Sequence, residues 1–73
     1  PAEPLSERER EVLRLIGNGA TNAQIAQQLG IGGSTVRTHL QHILDKLQLE
    51  NRNQAMLYAI RTGLVTPAAR PPL

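Results

Sequence analysis

The chain has 73 residues, no cysteine, a single aromatic residue (Tyr58) and a formal net charge of +2. This length allows one small domain, and the lack of cysteine excludes a disulfide framework and a cysteine-ligated zinc site. A single aromatic residue argues against a surface that stacks unpaired bases. Because its apolar runs are only a few residues long, we expect no membrane span, and the lack of cysteine is in keeping with a reducing cytoplasm.

Two proline-containing segments flank the helical part of the chain. Residues 1–4 resemble the end of a linker, and residues 66–73, which contain three prolines, are expected to be extended or disordered. Between them, helical periodicity recurs and no alternating strand pattern is present. Residues 5–65 are therefore predicted to form an all-α domain of four helices.

The first two helices each begin with a capping signal. Ser6 and Glu9 form one capping box and Thr21 and Gln24 form another, which predicts a first helix ending at residues 17–19 and a second one ending at Leu29. Their predicted buried residues are Val12, Leu13, Ile16, Ile25, Ala26 and Leu29. We also expect an ion pair between Arg52 and one of the acidic residues of the first helix.

The third helix, predicted over residues 33–48, carries different chemistry on its two sides. One side is apolar, with Val36, Leu40, Ile43 and Leu47. The opposite side carries hydrogen-bond donors, namely Ser34, Arg37, Thr38 and Gln41. Such a helix suits the DNA major groove, where Arg37 can bind guanine, Gln41 adenine, and Thr38 a base edge or a thymine methyl group.

The fourth helix, predicted over residues 51–62 with Asn51 as its cap and Gly63 beyond its end, has an apolar side facing away from the core. That side contains Asn53, Leu57, Ile60 and Leu64. Exposed apolar side chains at this spacing indicate a homodimer in which the helix packs on its own copy, or alternatively packing under the C-terminal tail.

Five segments resemble the LuxR/GerE family of bacterial helix-turn-helix domains. They are Leu5-Ser-Glu-Arg-Glu-Arg-Glu-Val-Leu13, Gly19-Ala-Thr-Asn-Ala-Gln-Ile-Ala26, Thr35-Val-Arg-Thr-His39, Lys46-Leu47 and Arg52-Asn-Gln-Ala55. The resemblance covers about residues 5–65. It implies a transcription-regulating DNA-binding domain that acts as a dimer, as in the C-terminal effector domain of NarL/FixJ-type response regulators. In the family, such a domain usually follows either the phosphorylated receiver domain of a two-component system or a small-molecule sensor domain.

Carried over by motif position, the resemblance implies which residues contact DNA. Base contact falls to Arg37, Thr38 and Gln41, with Ser34 as a further candidate. Phosphate contact falls to Asn22, Thr35, His39 and Lys46, to which the start of the second helix adds Thr21 through its backbone N–H groups. The chain departs from the family at Ala23, where a basic residue is usual, and at Gly32, where serine or threonine would cap the third helix.

Other functions have less support. A protein–protein adapter that keeps the helix-turn-helix shape would use the fourth helix as its main surface. A sigma-factor region-four domain would share the opening motif but usually has a more basic recognition helix. No enzyme, cofactor or metal site is expected, because no nucleophile has a partner base and His39 and His42 lack a converging third ligand.

Overall fold

The computed structural model describes residues 5–65 of the chain. These residues form four α-helices and no strand: α1 (Glu7–Gly17), α2 (Asn22–Leu29), α3 (Gly33–Leu47) and α4 (Arg52–Arg61). The predicted all-α fold is confirmed over this part of the chain. The linker predicted at residues 1–4 and the disordered tail predicted at residues 66–73 lie outside the described residues. Within residues 5–65, no helix has the length and apolar character needed to cross a membrane.

Local hydrogen bonds start three of the helices as the sequence predicts. The Ser6 hydroxyl accepts from the Glu9 backbone N–H at 3.2 Å, and Glu9 Oε1 accepts from the Ser6 N–H at 2.9 Å. Thr21 and Gln24 make the same reciprocal pair at 3.1 and 2.8 Å. The Asn51 side chain accepts from the first turn of α4 at 2.9 Å. Each cap satisfies backbone donors that the first helical turn would otherwise leave unpaired.

The two ends of α3 differ: its start has no side-chain cap, whereas at its end the N–H groups of Gln48 and Leu49 donate to the Asp45 and Leu44 carbonyls. Gly32 precedes α3 in an extended conformation and provides no side-chain cap hydrogen bond, as expected where the serine or threonine usual in the family is absent. Gln48 ends the helix with a left-handed backbone, at φ 58°. This conformation is strained for a residue with a side chain.

The core is built around α1 and α3, each of which contacts all three other helices. The buried apolar residues are Val12, Leu13, Leu15, Ile16, Ile25, Val36, Ile43, Ala55, Ala59 and Val65. Leu15 and Val65 were absent from the predicted core. On α3, Val36 and Ile43 are fully buried and the other predicted apolar residues are partly buried against the same cluster.

Gly17 permits the close approach of α1 and α4. A Cβ atom at this position would lie 2.6 Å from Val65 Cγ2 and 2.8 Å from Ala59 Cβ, well inside van der Waals contact. The sequence pattern identified residues 17–19 only as the end of the helix, which is where α1 does end. The packing role of Gly17 could not be read from this pattern, because it depends on residues more than forty positions away in the sequence.

Candidate nucleic-acid interface

The first half of α3 presents a polar surface. Ser34, Arg37, Thr38 and Gln41 are all exposed. On the other side of the same helix, Val36 and Ile43 have no exposed surface. The helix is therefore fixed to the core on one side while its hydrogen-bonding side chains face solvent.

Two of these polar side chains are held by hydrogen bonds along the helix. The Thr38 hydroxyl donates to the Ser34 carbonyl at 3.1 Å. Gln41 Nε2 donates to Asp45 Oδ1 at 3.2 Å. Because a carboxylate only accepts, the amide nitrogen of Gln41 must face Asp45, which leaves Oε1 and the second N–H available. Asp45 thus orients Gln41, a role that its negative charge alone did not indicate.

The flank of α3 includes Thr35, which is exposed, and His39, which is half-buried. The Nδ1 atom of His39 is buried and has no hydrogen-bond partner within the described part of the chain. This nitrogen is unsatisfied in either tautomer of the ring, as a donor without an acceptor or as an acceptor without a donor. In residues 5–65, no three histidine, aspartate or glutamate side chains are grouped so as to hold a metal ion.

Lys46, near the end of α3, is engaged with the first helix. Its Nζ donates to Glu9 Oε1 at 2.8 Å, and its side chain remains 38% exposed. His42 Nδ1 lies 3.6 Å from the other Glu9 oxygen. In the free protein Lys46 is therefore an ion-pair partner, and not only a cation facing solvent.

Glu9 is the one charged residue that the described part of the chain buries, with 4% of its surface exposed. Burial on its own would raise the pKa of the Glu9 carboxyl. Hydrogen bonds from Lys46 and Ser6, together with the lysine charge, outweigh burial and lower this pKa below its ordinary value of 4.5. The capping pattern gave Glu9 only a role at the start of the first helix and did not reveal this ion pair.

The start of α2 is tied to the start of α4. Arg52 Nη1 donates to Asn22 Oδ1 at 2.6 Å, and Arg52 Nη2 donates to the carbonyl of Ala20. The predicted ion pair between Arg52 and an acid of the first helix is wrong, because Arg52 opens α4 beside the α2 cap. Thr21 is exposed, and its hydroxyl oxygen accepts the hydrogen bond that caps α2. The hydroxyl hydrogen can therefore be donated to another acceptor.

The dimer surface predicted for the fourth helix is only partly exposed to solvent. Asn53 and Leu57 are exposed, the latter at 43%. Ile60 and Leu64 are half-buried and pack against the core of their own chain. Leu57 is therefore the most accessible apolar side chain of this stripe.

Comparisons with known proteins agree with this geometry. The family described as "Bacterial regulatory proteins, luxR family" matches residues 3–59. The transcriptional regulatory protein LiaR of Bacillus subtilis is 48% identical over 65 residues, which cover 89% of this chain and 31% of LiaR.

Two solved structures are also similar. The transcription factor GerE aligns with a TM-score of 0.73 at 35% identity, covering 85% of this chain and 92% of GerE. The response regulator ChrA of a heme-sensing two-component system aligns with a TM-score of 0.75 at 42% identity, covering 88% of this chain and 32% of ChrA. The chain thus spans about a third of the length of LiaR and of ChrA.

Proposed function

This chain belongs to the luxR family of bacterial regulatory proteins, and we propose that it reads double-stranded DNA with the first half of α3 in the major groove. It is a helix-turn-helix DNA-binding domain of the type that serves response regulators as their output domain. The observation that carries the proposal is the division of α3 between the fully buried Val36 and Ile43 and the exposed Ser34, Arg37, Thr38 and Gln41.

Each exposed side chain suits a particular base contact. Arg37 can donate two hydrogen bonds to guanine O6 and N7. Gln41, oriented by Asp45, keeps the acceptor and the donor that adenine N6 and N7 require. Because the Thr38 hydroxyl hydrogen is directed to the Ser34 carbonyl, its methyl group suits a thymine methyl. Ser34 lies one turn earlier and can add a further hydrogen bond to a base.

The phosphate contacts surround this reading face. Thr35 and His39 donate from the flank of α3, and Lys46 adds a positive charge further along it. At the start of α2, Thr21 and Asn22 present donors where the helix dipole favours an anion. Such contacts set the position of the helix on the duplex without reading its sequence.

A single short helix reads only a few base pairs, so specific binding calls for two copies. In the proposed homodimer, α4 packs on its own copy through Asn53, Leu57, Ile60 and Leu64, with the exposed Leu57 as its main apolar contact. The whole regulator would carry a receiver or sensor domain before this one and act in the cytoplasm.

The test is DNA binding at several salt concentrations, on duplexes selected by the protein from random sequences. Phosphate binding releases counterions, so the logarithm of the affinity should fall linearly with the logarithm of salt concentration, by about 0.9 for each cationic contact. An adapter that only shares the helix-turn-helix shape would retain no duplex even at low salt, and that result would overturn the proposal.

A further inference from the structure

Arg52 makes two long-range hydrogen bonds to the proposed DNA-binding surface. It is the first residue of α4, yet both of its hydrogen bonds reach the segment that opens α2, 30 and 32 residues earlier in the chain. Arg52, Asn22 and Ala20 are all half-buried, so water competes only partly for these bonds. Neither the motif spacing nor the helix pattern accounts for this arrangement.

The chemistry of the contact fixes the orientation of an amide. A guanidinium group can only donate hydrogen bonds, so the oxygen of the Asn22 side chain must face Arg52. The amide nitrogen, with its two N–H groups, is then turned away from Arg52. Both oxygens that accept from Arg52 are neutral, so neither acceptor offsets the positive charge of the guanidinium beside the first turn of α2.

We propose that Arg52 is a positioning residue for DNA binding, which holds the Asn22 amide with its nitrogen directed at a phosphate of the DNA backbone. The inference rests on the proposed function and extends it to a residue of the fourth helix. Its energetic basis is preorganisation: an amide already held in one orientation loses less freedom when a phosphate binds it. A free asparagine would present oxygen and nitrogen to the phosphate alternately, and the oxygen would repel it.

A purely structural role for Arg52 makes a different prediction. If Arg52 only tethers α4 to the loop before α2, its loss would weaken DNA binding whatever residue occupies position 22. If it acts through the amide, its effect requires Asn22. A double-mutant cycle separates these two cases.

The experiment measures duplex affinity by fluorescence anisotropy for wild type, Asn22→Ala, Arg52→Lys and the double variant. Far-UV circular dichroism and thermal melting confirm that each variant is folded at the temperature used. Asn22→Ala should lower affinity about tenfold on every sequence, as expected for a lost hydrogen bond to a charged group. Arg52→Lys keeps the charge but lacks the planar two-pronged donor, and should lower affinity several-fold. The double variant should bind no more weakly than Asn22→Ala alone.

Two further variants act as controls. Asn22→Asp keeps an acceptor for Arg52 and should preserve thermal stability, but it replaces the donor with a negative charge and should lose DNA affinity. Arg61→Lys makes the same substitution at the exposed far end of α4 and should bind as wild type does.

The outcomes distinguish this inference from the proposed function. Multiplicative losses in the double variant, or wild-type affinity in Asn22→Ala, would overturn the role of Arg52 while leaving DNA binding intact. A wild-type protein that binds no duplex would overturn the proposed function itself.

Discussion

Lys46 on α3 and Glu9 on α1 are joined by a hydrogen bond of 2.8 Å across 37 residues of sequence. The pair connects the proposed recognition helix, α3, to α1. Glu9 is almost fully buried while Lys46 remains partly exposed, so the two residues have unequal roles. The buried charge of Glu9 is stabilised by Lys46, whereas Lys46 has a second, proposed role as a phosphate contact.

The lowered pKa of Glu9 predicts a loss of stability in acid. Below its ordinary value of 4.5, the unfolded chain takes up a proton that the folded carboxylate resists, so the free energy of unfolding falls as pH falls. Glu9→Gln keeps an acceptor for the Ser6 N–H but removes the charge. Urea denaturation at about pH 7 and about pH 3 should show a smaller acid-induced loss for this variant than for wild type. Glu7→Gln, an exposed substitution in the same turn, is the control; equal losses in wild type and Glu9→Gln would contradict the assignment.

Alanine substitutions of Arg37 and of Lys46 should have different effects on DNA binding. Arg37→Ala should change which sequences are selected from random DNA, because a two-bond contact to guanine contributes roughly 1–3 kcal/mol of discrimination. Lys46→Ala should weaken all sequences alike and reduce the salt slope by about 1. Glu9→Gln leaves the charge of Lys46 in place and should retain that slope. A uniform loss in both alanine variants would contradict the division between reading face and backbone flank.

Asp45→Ala should separate affinity from specificity. Removing a carboxylate beside the duplex should raise affinity for all sequences, since repulsion of phosphate is lost. The same change frees the Gln41 amide to rotate, so the preference for adenine at its position should fall by a few-fold. Competition between duplexes that differ at that base pair measures the ratio. An unchanged ratio would mean that Asp45 does not orient Gln41 on DNA.

Gly17→Ala should destabilise the fold by about 1–3 kcal/mol, because the added methyl group would overlap Val65 and Ala59. Gly33→Ala is the matched control, since a Cβ there meets no atom within 4 Å. Gly33→Ala, in the first turn of α3, should instead raise the free energy of unfolding by about 0.4–1 kcal/mol, because alanine has fewer conformations than glycine in the unfolded chain. Chemical denaturation measures both. Similar effects of the two substitutions would show that crowding at Gly17 is relieved by movement of α4.

Leu57→Glu should disrupt the proposed dimer while leaving helical content unchanged, because the side chain is exposed in the single chain. Sedimentation of the protein with a duplex containing two binding sites should show loss of cooperative occupancy. Gln28→Glu places the same charge on the exposed surface of α2 and should not affect it. Wild-type cooperativity in Leu57→Glu would exclude α4 as the dimer contact.

The features that were predicted correctly depend on residues close together in the sequence. The capping pairs Ser6–Glu9 and Thr21–Gln24 are three residues apart, and the two-sided pattern of α3 repeats within each turn. These signals were sufficient for the helices and their approximate ends, and the five motif segments were sufficient for membership of the luxR family.

Features set by contacts between distant residues were not predicted. Burial of Glu9 depends on Lys46, and the partners of Arg52 depend on how α4 is placed beside α2. Ile60 and Leu64 were expected to face a partner but lie partly against their own core, because helical spacing gives a direction and not the extent of a neighbouring surface.

A single oxygen atom of Glu9 has two functions in this fold. Oε1 accepts from the Ser6 N–H at 2.9 Å and from Lys46 Nζ at 2.8 Å. The first turn of α1 and the last turns of α3 therefore share one acceptor, so fraying at one site weakens the other. Both ends should open together, as one cooperative unit, in the native-state fluctuations of the protein. In this way the most local signal in the sequence also contributes to the cooperativity of the whole domain.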